Sequence, residues 1–594
     1  MRILRSTIPL VEALRGYERR HAQADLGAGL TTAVMLIPQA MGYAMLAGLP
    51  PLVGLYASVL PLLVYALIGT SRQLAVGPVA MDSLLVAAGV APLAAGDPAT
   101  YLHLTLLLAV MVGLLQSAMG LFRLGFLVNF LSYPVISGFT SAAALIIASS
   151  QLTHLLGVSI PRSNYVHRAL QGALSQLDAV HGITVAIGVS SVAALVALKR
   201  YAPRFPRALV VVAASSVLVG ALGLDGDGVA IVGSVPRGLP SLTTPRFDVA
   251  AVQQLIPIAL TLALLGFMEA TAIGKKYARA KGYRLSANRE LIAVGAANFT
   301  AGFSGGYPIT GGFSRTAVNA SAGATTQLAG VITAFAVALT LVFFTPLFYY
   351  LPKAVLAAII ITAVVGLIDI DEAKHVYRVR RADLALLGAT FGATLSLGII
   401  EGMAVGVAAS LGMLIWRSTH PHVAVLGHIG QGDVFRNVNR FACARTVPGV
   451  LALRLDAQLY FGNVNFLEET IDSHISRQNA DAPAHRVEAV VLDASGINQL
   501  DASGELAVRG IDDDLDARGI KLFLADVKGP VRDVMKRSGL WAKFEGRIFY
   551  TVGDAVRVAE AWVQSTTEEE RKRLLRRGHD DCMPVASSRP DTKR

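Results

Sequence analysis

Two stretches of the sequence decide the fold: QLAVGPVAMDS at residues 73–83 and GGYPITGGFSRT at residues 305–316. Each begins in an extended pattern, passes through glycine and proline, and continues as a short helix. The first is the third apolar segment of the chain, and the second is the third of a second half that begins near Val252. Interrupted segments at matching positions of two halves indicate an inverted repeat with a binding site between them.

The composition around these stretches indicates a membrane protein. Of the 594 residues, 53% are apolar and 16% are charged, against roughly 25% charged in soluble domains. From Leu26 to Phe122 the charged residues are Arg72, Asp82 and Asp97. A soluble surface needs more charge than that, whereas a lipid-embedded helix needs about 20 mostly apolar residues. The sequence therefore argues against a soluble enzyme.

The hydropathy pattern predicts fourteen spans. They are 26–46, 52–69, 75–91, 102–122, 128–150, 180–198, 206–223, 252–274, 287–304, 310–322, 325–346, 353–369, 383–399 and 401–416. Basic residues cluster after even-numbered spans, so the positive-inside rule predicts two cytoplasmic termini in an inner (plasma) membrane. The same rule accounts for the net charge of +11 without nucleic-acid binding.

The chain changes character after Trp416, where charged and apolar residues interleave. Strand-like runs at 450–455, 489–493 and 521–525 alternate with helical stretches, which indicates a small α/β domain. The expected domains are a cytoplasmic segment (1–24), a membrane domain (25–417), a linker (418–439), the α/β domain (440–565) and a charged, disordered tail (566–594).

The two interrupted segments predict an anion site. A helix that begins inside the membrane leaves free N–H groups and the positive end of its dipole there. Val79 and Ala80 supply one set of amides, and Ser314 and Arg315 supply the other. Arg315 adds a full positive charge, and a charge at membrane depth marks a functional site by default. The alternative is that Arg315 extends to the cytoplasmic surface.

Glu269 is the only acidic residue in the long apolar segment 252–274. Burial favours its protonated form and a nearby Arg315 favours its ionised form, so this carboxyl can take up and release a proton. The alternative is a structural ion pair with Arg315, and both interpretations can hold. Asp82 follows the first interrupted helix start and could face the cavity, pair with a base or cap the helix.

Gln39 and Tyr43 lie four residues apart after Pro38, which puts an amide and a phenol on one helix face. Both can donate hydrogen bonds to a bound oxyanion. The alternative for a tyrosine at such a position is simple packing. A helix break expected at Pro38, next to these residues, favours the site.

Three runs resemble the signature of the SulP family of anion transporters, the sulfate permeases. They are LIPQAMGYAMLAGLPP at 36–51, GLY at 54–56 and GTSRQLAVGP at 69–78. The resemblance covers about residues 20–565, since the family usually ends in a STAS domain. It implies fourteen spans in two inverted seven-span repeats, core and gate domains, a homodimer and an elevator-like movement of the core.

The resemblance also implies roles for individual residues. The family's substrate lies between the third and tenth helices with help from the first. The matching positions are Gln39, Tyr43, Val79, Ala80, Ser314 and Arg315 for substrate and Glu269 for the coupled proton. The run FSRTAVN at 313–319 looks like sulfate permeases, which favours proton-coupled sulfate uptake.

Other functions stay open at this point. They are a bicarbonate or dicarboxylate transporter, an anion exchanger, and an anion sensor that signals through the soluble domain. We see no nucleophile–base cluster, phosphate loop or metal-ligand set in the sequence, so we expect neither an enzyme nor a bound metal or cofactor.

The soluble domain resembles STAS modules at DAS (493–495) and LDASG (500–504). In anti-sigma antagonists of this fold the serine before the glycine is phosphorylated, and Ser503 occupies that position. A helix N-terminus suits a phosphate there. The alternative, which we favour, is that Ser503 is an N-cap residue. A cytoplasmic partner of this domain is a further expectation.

Overall fold

The structure is a computed structural model and describes residues 9–10, 17–126, 132–160, 165–202, 207–430 and 433–580. The chain divides into two units, Met1–Ser410 and Leu411–Arg594. The first is mostly helical and the second is an α/β domain. The helix Ile399–Thr419 crosses the boundary between them.

The elements of the first unit are numbered in chain order over the described residues. The helices are Arg19–Leu46 (α1), Pro51–Tyr56 (α2), Leu60–Ile68 (α3), Ala80–Ala94 (α4), Pro98–Leu121 (α5), Tyr133–Ser150 (α6), Leu152–Leu156 (α7), Val166–Leu174 (α8), Gly182–Tyr201 (α9), Arg207–Leu222 (α10), Val249–Ala280 (α11), Ala287–Phe303 (α12), Phe313–Ser321 (α13), Leu328–Leu339 (α14), Lys353–Val364 (α15), Ile370–Val379 (α16), Arg381–Leu397 (α17) and Ile399–Thr419 (α18). Two short strands, Val76–Gly77 (β1) and Thr310–Gly311 (β2), precede α4 and α13.

Each of the fourteen predicted spans overlaps one of these helices. Within the described part of the chain, nine helical segments are long and apolar enough to cross a membrane, and Ala80–Ala94 and Arg207–Leu222 are shorter apolar helices. The predicted span 52–69 is divided into α2 and α3, and Pro61, the second residue of α3, lacks the N–H that a continuous helix needs. The amphipathic helix α16 was not predicted.

Helices α5 and α12 pack closely through small residues. A methyl group at Gly295 would lie 2.7 Å from the backbone nitrogen of Ser117, and one at Gly302 would lie 2.7 Å from the carbonyl oxygen of Leu106. Small residues let the two helix backbones approach closely. In lipid this close packing favours association, because the hydrophobic effect does not drive helices together there. This packing fixes α12, which carries a side chain that supports β2.

The second unit is built on a six-stranded sheet. The strands are Val423–His428 (β3), Phe435–Asn437 (β4), Val450–Leu455 (β5), Ala489–Asp493 (β6), Lys521–Ala525 (β7) and Ile548–Phe549 (β8), in the order β4-β3-β5-β6-β7-β8. Strands β5 to β8 are parallel, and β3 is antiparallel to β4 and β5. Strands β5, β6 and β7 confirm the three predicted runs.

Helices cover the sheet and bury its apolar faces. They are Val464–Asp481 (α19), Ala502–Ala517 (α20), Gly529–Ser538 (α21), Leu540–Lys543 (α22), Val552–Gln564 (α23) and Glu568–Asp580 (α24). One face of the sheet packs around Leu453 and Leu492, and the other packs around Val491 and Phe523. Continuous apolar strands of this kind are typical of a parallel sheet covered on both sides.

Two predicted domain boundaries differ from the structure. The stretch 418–439, predicted as a linker, contains β3 and β4, because both strands pair with the sheet. The tail 566–594, predicted as disordered, contains helix α24 at Glu568–Asp580. In that helix Lys572 pairs with Glu568 at the i,i+4 spacing. Residues 581–594 lie outside the described residues, as does most of the predicted segment 1–24.

Candidate anion site

The two interrupted segments meet in a short antiparallel ladder. Val76 lies opposite Gly311 and Gly77 lies opposite Thr310. Next to the ladder, the Gly312 backbone nitrogen donates to the Ala75 carbonyl at 3.1 Å. The Ala75 backbone nitrogen donates to Thr316 Oγ1 at 3.0 Å. The structure therefore brings together the two segments that the sequence analysis paired.

Each strand leads directly into a helix whose first turn lacks a side-chain cap. Val79 is the N-cap of α4 and Gly312 is the N-cap of α13, and neither position supplies a capping hydrogen bond. The first N–H groups of an α-helix have no partner within the helix. Two uncapped helix starts, tied together by one ladder, provide backbone donors and partial positive charge for an anion.

Arg315 lies in the first turn of α13 and is only 1% exposed. Its Nη1 donates to the carbonyl of Pro78 at 2.5 Å, whereas its Nε and Nη2 have no hydrogen-bond partner. The alternative that Arg315 extends to the surface is therefore wrong. The guanidinium is anchored to the other interrupted segment and keeps two donors for another group.

Gly312 leaves the space that this guanidinium fills. A methyl group at position 312 would lie 2.9 Å from Arg315 Cζ. Gly77 faces the same group, because a methyl there would lie 3.5 Å from Nη2, and its φ of +153° also favours glycine. Gly312 thus makes room for Arg315, whereas Gly77 is favoured by the backbone conformation beside it.

Glu269 lies on α11 and is 8% exposed, with an Oε2 atom that lacks a hydrogen-bond partner. It is within electrostatic range of both Arg315 and Asp82. The structure shows no direct ion pair between Glu269 and Arg315, so the predicted structural ion pair is not formed. The carboxylate is buried and unpaired, near one cation and one further acid.

The sequence did not decide whether Asp82 faces the cavity, pairs with a base or caps the helix. Asp82 is 2% exposed, and its Oδ1 has no hydrogen-bond partner. It does not cap α4, whose N-cap is Val79, and no base pairs with it in the described residues. Asp82 therefore neither caps the helix nor pairs with a base among the described residues, and it is a buried carboxylate within electrostatic range of Glu269.

Gln39 and Tyr43 lie on the same stretch of α1 and are 4% and 5% exposed. Gln39 Oε1 has no hydrogen-bond partner, and Tyr43 is within electrostatic range of Arg315. Gln39 also lines a cavity of about 460 Å³ whose wall includes Val318 of α13 and the basic Lys199 and Arg207. Tyr43 is thus close to Arg315, and Gln39 lies one turn earlier on the same helix and borders this cavity.

The remaining predicted residues differ in burial. Ala80 is buried, Val79 is half-buried, and Ser314 is exposed. All three lie at the two helix starts, where their backbone groups are the predicted contacts. The predicted role of Val79 and Ala80 rests on backbone amides, so it depends on helix position and not on their side chains.

Tyr307 was not predicted as a site residue and is fully buried next to the ladder. Its hydroxyl lies 2.9 Å from Ser83 Oγ, and Ser83 Oγ lies 2.7 Å from the Val79 carbonyl. Because Ser83 has one hydroxyl proton and gives it to Val79, Tyr307 is the donor to Ser83. The signal was the Tyr-Pro pair directly before β2.

A second missed residue is Asn298 of α12. It bonds both backbone groups of Ile309, at 2.7 and 2.9 Å, and donates to Gln116 Oε1 at 3.0 Å. Thr310 Oγ1 donates to the Gly266 carbonyl at 2.6 Å, one turn before Glu269. These bonds fix β2 against the helix that carries Glu269.

Asp25 is a third missed residue and lies away from the site. Its carboxylate is fully buried and accepts bonds from Tyr17 and from the backbone and hydroxyl groups of Thr325 and Thr326. Such a satisfied carboxylate is structural. It joins the start of α1 to the chain before α14.

In the second unit, Ser503 lies in the first turn of α20, whose N-cap is Asp501. Asp501 accepts a hydrogen bond from the Gly504 nitrogen at 2.7 Å. The favoured alternative, that Ser503 is the N-cap, is therefore wrong. Asp501 and Tyr460 line a groove of about 270 Å³ next to this turn. Phosphorylation of Ser503 stays a prediction.

Two carboxyls of this unit have shifted pKa values. Burial raises the pKa of Asp493, and the hydrogen bond from Ser495 only partly opposes it. Burial acts in the same direction at Asp456, but hydrogen bonds from Arg454 and His422 outweigh it and lower the pKa of that carboxyl. Asp493 precedes the turn that leads to Ser503.

The fold and the site define a multi-pass membrane protein with two interrupted helices around a buried arginine and with a separate α/β domain. Residues 23–390 match the sulfate permease family and residues 442–555 match the STAS domain. The chain therefore belongs to the sulfate permease family and carries a STAS domain.

Curated relatives agree over most of the chain. "Sulfate transporter 4.1, chloroplastic" of Arabidopsis thaliana is 36% identical over 578 residues, which cover 95% of this chain and 84% of the relative. "Low affinity sulfate transporter 3" of Stylosanthes hamata is 34% identical over 580 residues, which cover 93% and 90%.

Solved structures of anion transporters share the fold. The murine Solute Carrier 26 family member A9 anion transporter in the inward-facing state aligns with a TM-score of 0.86 at 25% identity, over 94% of this chain and 95% of that one. The transmembrane domain of the cyanobacterial bicarbonate transporter BicA aligns with a TM-score of 0.58 at 27% identity, over 67% of this chain and 99% of that domain.

Proposed function

We propose that this anion transporter takes up sulfate together with protons, by an elevator-like movement of the part that carries the site. The observation that carries the proposal is Arg315, a buried guanidinium with two unpartnered donors between two uncapped helix starts. A planar guanidinium suits the paired oxygens of an oxyanion. Backbone N–H groups add directed donors without further charge.

Glu269 is the proposed proton carrier. A buried carboxylate without a hydrogen-bond partner is costly when ionised, so protonation is favoured whenever the nearby positive charge is satisfied by another anion. A bound sulfate competes with Glu269 for Arg315. Anion binding and protonation of Glu269 therefore support each other, which is the requirement for symport.

The hydrogen bonds around the ladder support the elevator part of the proposal. β1, β2, α4 and α13 are tied together, and Asn298 and Thr310 join them to α11 and α12. Segments bonded in this way move as one body. Access then changes at the surfaces around that body, such as the cavity next to Gln39. An inner-membrane location, cytoplasmic termini and a homodimer are part of the same proposal.

The deciding experiment is labelled-sulfate uptake into proteoliposomes, with and without an inward proton gradient. The wild type is expected to take up more sulfate with the gradient. Glu269→Gln is expected to lose that response and still bind sulfate. The matched control is Glu401→Gln, an exposed acid on α18, which is expected to keep the response. A Glu269→Gln variant that responds normally would refute proton coupling through this residue.

Bicarbonate is the second candidate substrate, since the BicA transmembrane domain shares this fold. It is tested in the same vesicles. If sulfate neither enters nor competes under any gradient, whereas bicarbonate does, the substrate assignment is wrong and the site at Arg315 remains. If the purified protein binds an anion and moves none, a sensor function of the STAS domain replaces transport.

A further inference from the structure

Asp82 is a buried acid that the proposed mechanism does not yet use. It is the third residue of α4 and is 2% exposed, with an unpartnered Oδ1. Its neighbour Ser83 is fully engaged with Val79 and Tyr307. A fully buried carboxylate without a partner is rare and costly, and it calls for an explanation in function.

The surroundings of Asp82 are defined by the elements that pack against α4, which are α1, α5, α6 and α11. Glu269 of α11 is in electrostatic range of Asp82, and the same helix carries Lys275, Lys276, Tyr277 and Arg279 six or more residues further along. The phenol of Tyr307 is also in range. Arg315 interacts electrostatically with Glu269, Tyr43 and Tyr307.

The other elements around α4 carry further titratable groups. In α5 they are Tyr101, whose hydroxyl donates to the Ala47 carbonyl, and His103, which follows it by two residues. Tyr133 begins α6 and is exposed. Asp25 of α1 is bound by threonines. Glu290 of α12, which packs on α11, is bound by Tyr65 and Thr70.

The charges of the site can therefore be counted. Arg315 contributes one positive charge, and Asp82 and Glu269 contribute one negative charge each, so the empty, unprotonated site carries minus one. With both carboxyls protonated and a divalent anion bound, Arg315 and the anion again give minus one. A site that keeps its charge avoids an additional electrostatic cost when it moves through a low-dielectric region.

We infer that Asp82 is a second proton carrier, so that two protons accompany each divalent anion and transport is electroneutral. The inference deepens the proposed function and rests on it. When the anion leaves, Arg315 is again available to Glu269 as a counter-charge, and the two acids release their protons to the side of lower proton activity. Removal of Asp82 leaves one proton carrier, so that the protons no longer neutralise the two charges of the anion.

The variant Asp82→Asn is expected to change both the number of protons per sulfate and the net charge moved in each cycle. Its empty site carries no net charge, and its site with one proton and one sulfate carries minus one. Each cycle then moves one proton and one net negative charge inward. A gradient of one pH unit supports about a hundredfold sulfate accumulation with two protons, and about tenfold with one proton at zero potential.

The test uses the full-length protein in proteoliposomes that contain a pH-sensitive dye and a potassium-clamped membrane potential. Protons taken up per labelled sulfate and the effect of an inside-negative potential are measured. We expect two protons and no effect of potential in the wild type. We expect one proton and slower uptake at negative potential in Asp82→Asn, with wild-type behaviour in Asp82→Glu.

The outcomes separate the two proposals. A wild type that moves sulfate with one proton overturns the inference about Asp82 alone, and this result needs no variant. The same conclusion follows if Asp82→Asn keeps two protons per sulfate. A wild type that accumulates no sulfate under any gradient overturns the proposed function and this inference together.

Discussion

Asn298 and Ile309 hold each other through two hydrogen bonds: the Ile309 nitrogen donates to Asn298 Oδ1 at 2.7 Å, and Asn298 Nδ2 donates to the Ile309 carbonyl at 2.9 Å. Both residues are buried. The side chain thus replaces the strand partner that the backbone before β2 would otherwise need. It also fixes the distance between α12 and the start of α13.

The first prediction concerns this clamp. Asn298→Ala leaves both backbone groups of Ile309 buried without partners, at a cost of about 1–3 kcal/mol each. We expect sulfate uptake to fall at least about tenfold, measured in proteoliposomes. Thr300→Ala is the control, because Thr300 bonds only its own helix at the Ala296 carbonyl. Equal uptake in the two variants would show that the clamp does not position the site.

A second prediction tests the shape of the cation at position 315. Arg315→Lys keeps the charge but loses the planar donor pair and its bond geometry to Pro78. We expect the Kd for sulfate to rise about tenfold or more, measured by equilibrium binding to the purified protein. Arg72→Lys, at an exposed position, is expected to bind normally. Unchanged affinity in Arg315→Lys would contradict a bidentate guanidinium contact.

The third prediction concerns the space at Gly312. Gly312→Ala places a methyl group 2.9 Å from Arg315 Cζ, so the guanidinium must shift. We expect weaker sulfate binding with little loss of folded protein, measured by binding and by size-exclusion chromatography. Gly388→Ala is the control, since an added methyl there has no neighbour within 4 Å. The idea fails if both alanine variants bind sulfate like the wild type.

A fourth prediction concerns the stability of the STAS domain. Arg547 Nη1 lies 2.5 Å from Asp512 Oδ1, and both side chains are buried. Asp512→Ala leaves Arg547 buried without that partner, which typically costs about 3–5 kcal/mol. We expect hydrogen exchange in β7 to rise sharply in the full-length protein.

The control for this variant is an exposed pair on the same helix. Arg518 bonds Asp514 at 3.0 Å near the surface, and such pairs contribute about 0–1 kcal/mol. Asp514→Ala is therefore expected to leave exchange in β7 nearly unchanged. Similar protection in Asp512→Ala and the wild type would show that the buried pair adds nothing to stability.

Local sequence signals were sufficient for much of the fold. The glycines and prolines of 73–83 and 305–316 predicted two helix starts inside the membrane unit, because these residues limit helix formation by themselves. The strands β5, β6 and β7 were predicted from their apolar runs. The matching positions of these segments in the two halves indicated one binding site between them, and the resemblance to a known family implied the same site.

Features that depend on distant partners could not be predicted in this way. Asn298 is one polar residue in an apolar helix, and its role depends on Ile309 across a turn. Asp82 gives no local sign of whether it caps, pairs or faces a cavity. Strand β3 was assigned to a linker because its partner β5 comes about 25 residues later.

The ladder between β1 and β2 has only two residue pairs, yet it sets the separation of the two helix starts. Neither start can move without the other while those pairs are intact. In the proposed elevator-like movement, the size of anion that fits between the two helix starts is therefore the same on both sides of the membrane. Selectivity and access are then separate properties, so substitutions in the ladder change which anion is accepted, and substitutions at the surrounding surfaces change how often it crosses.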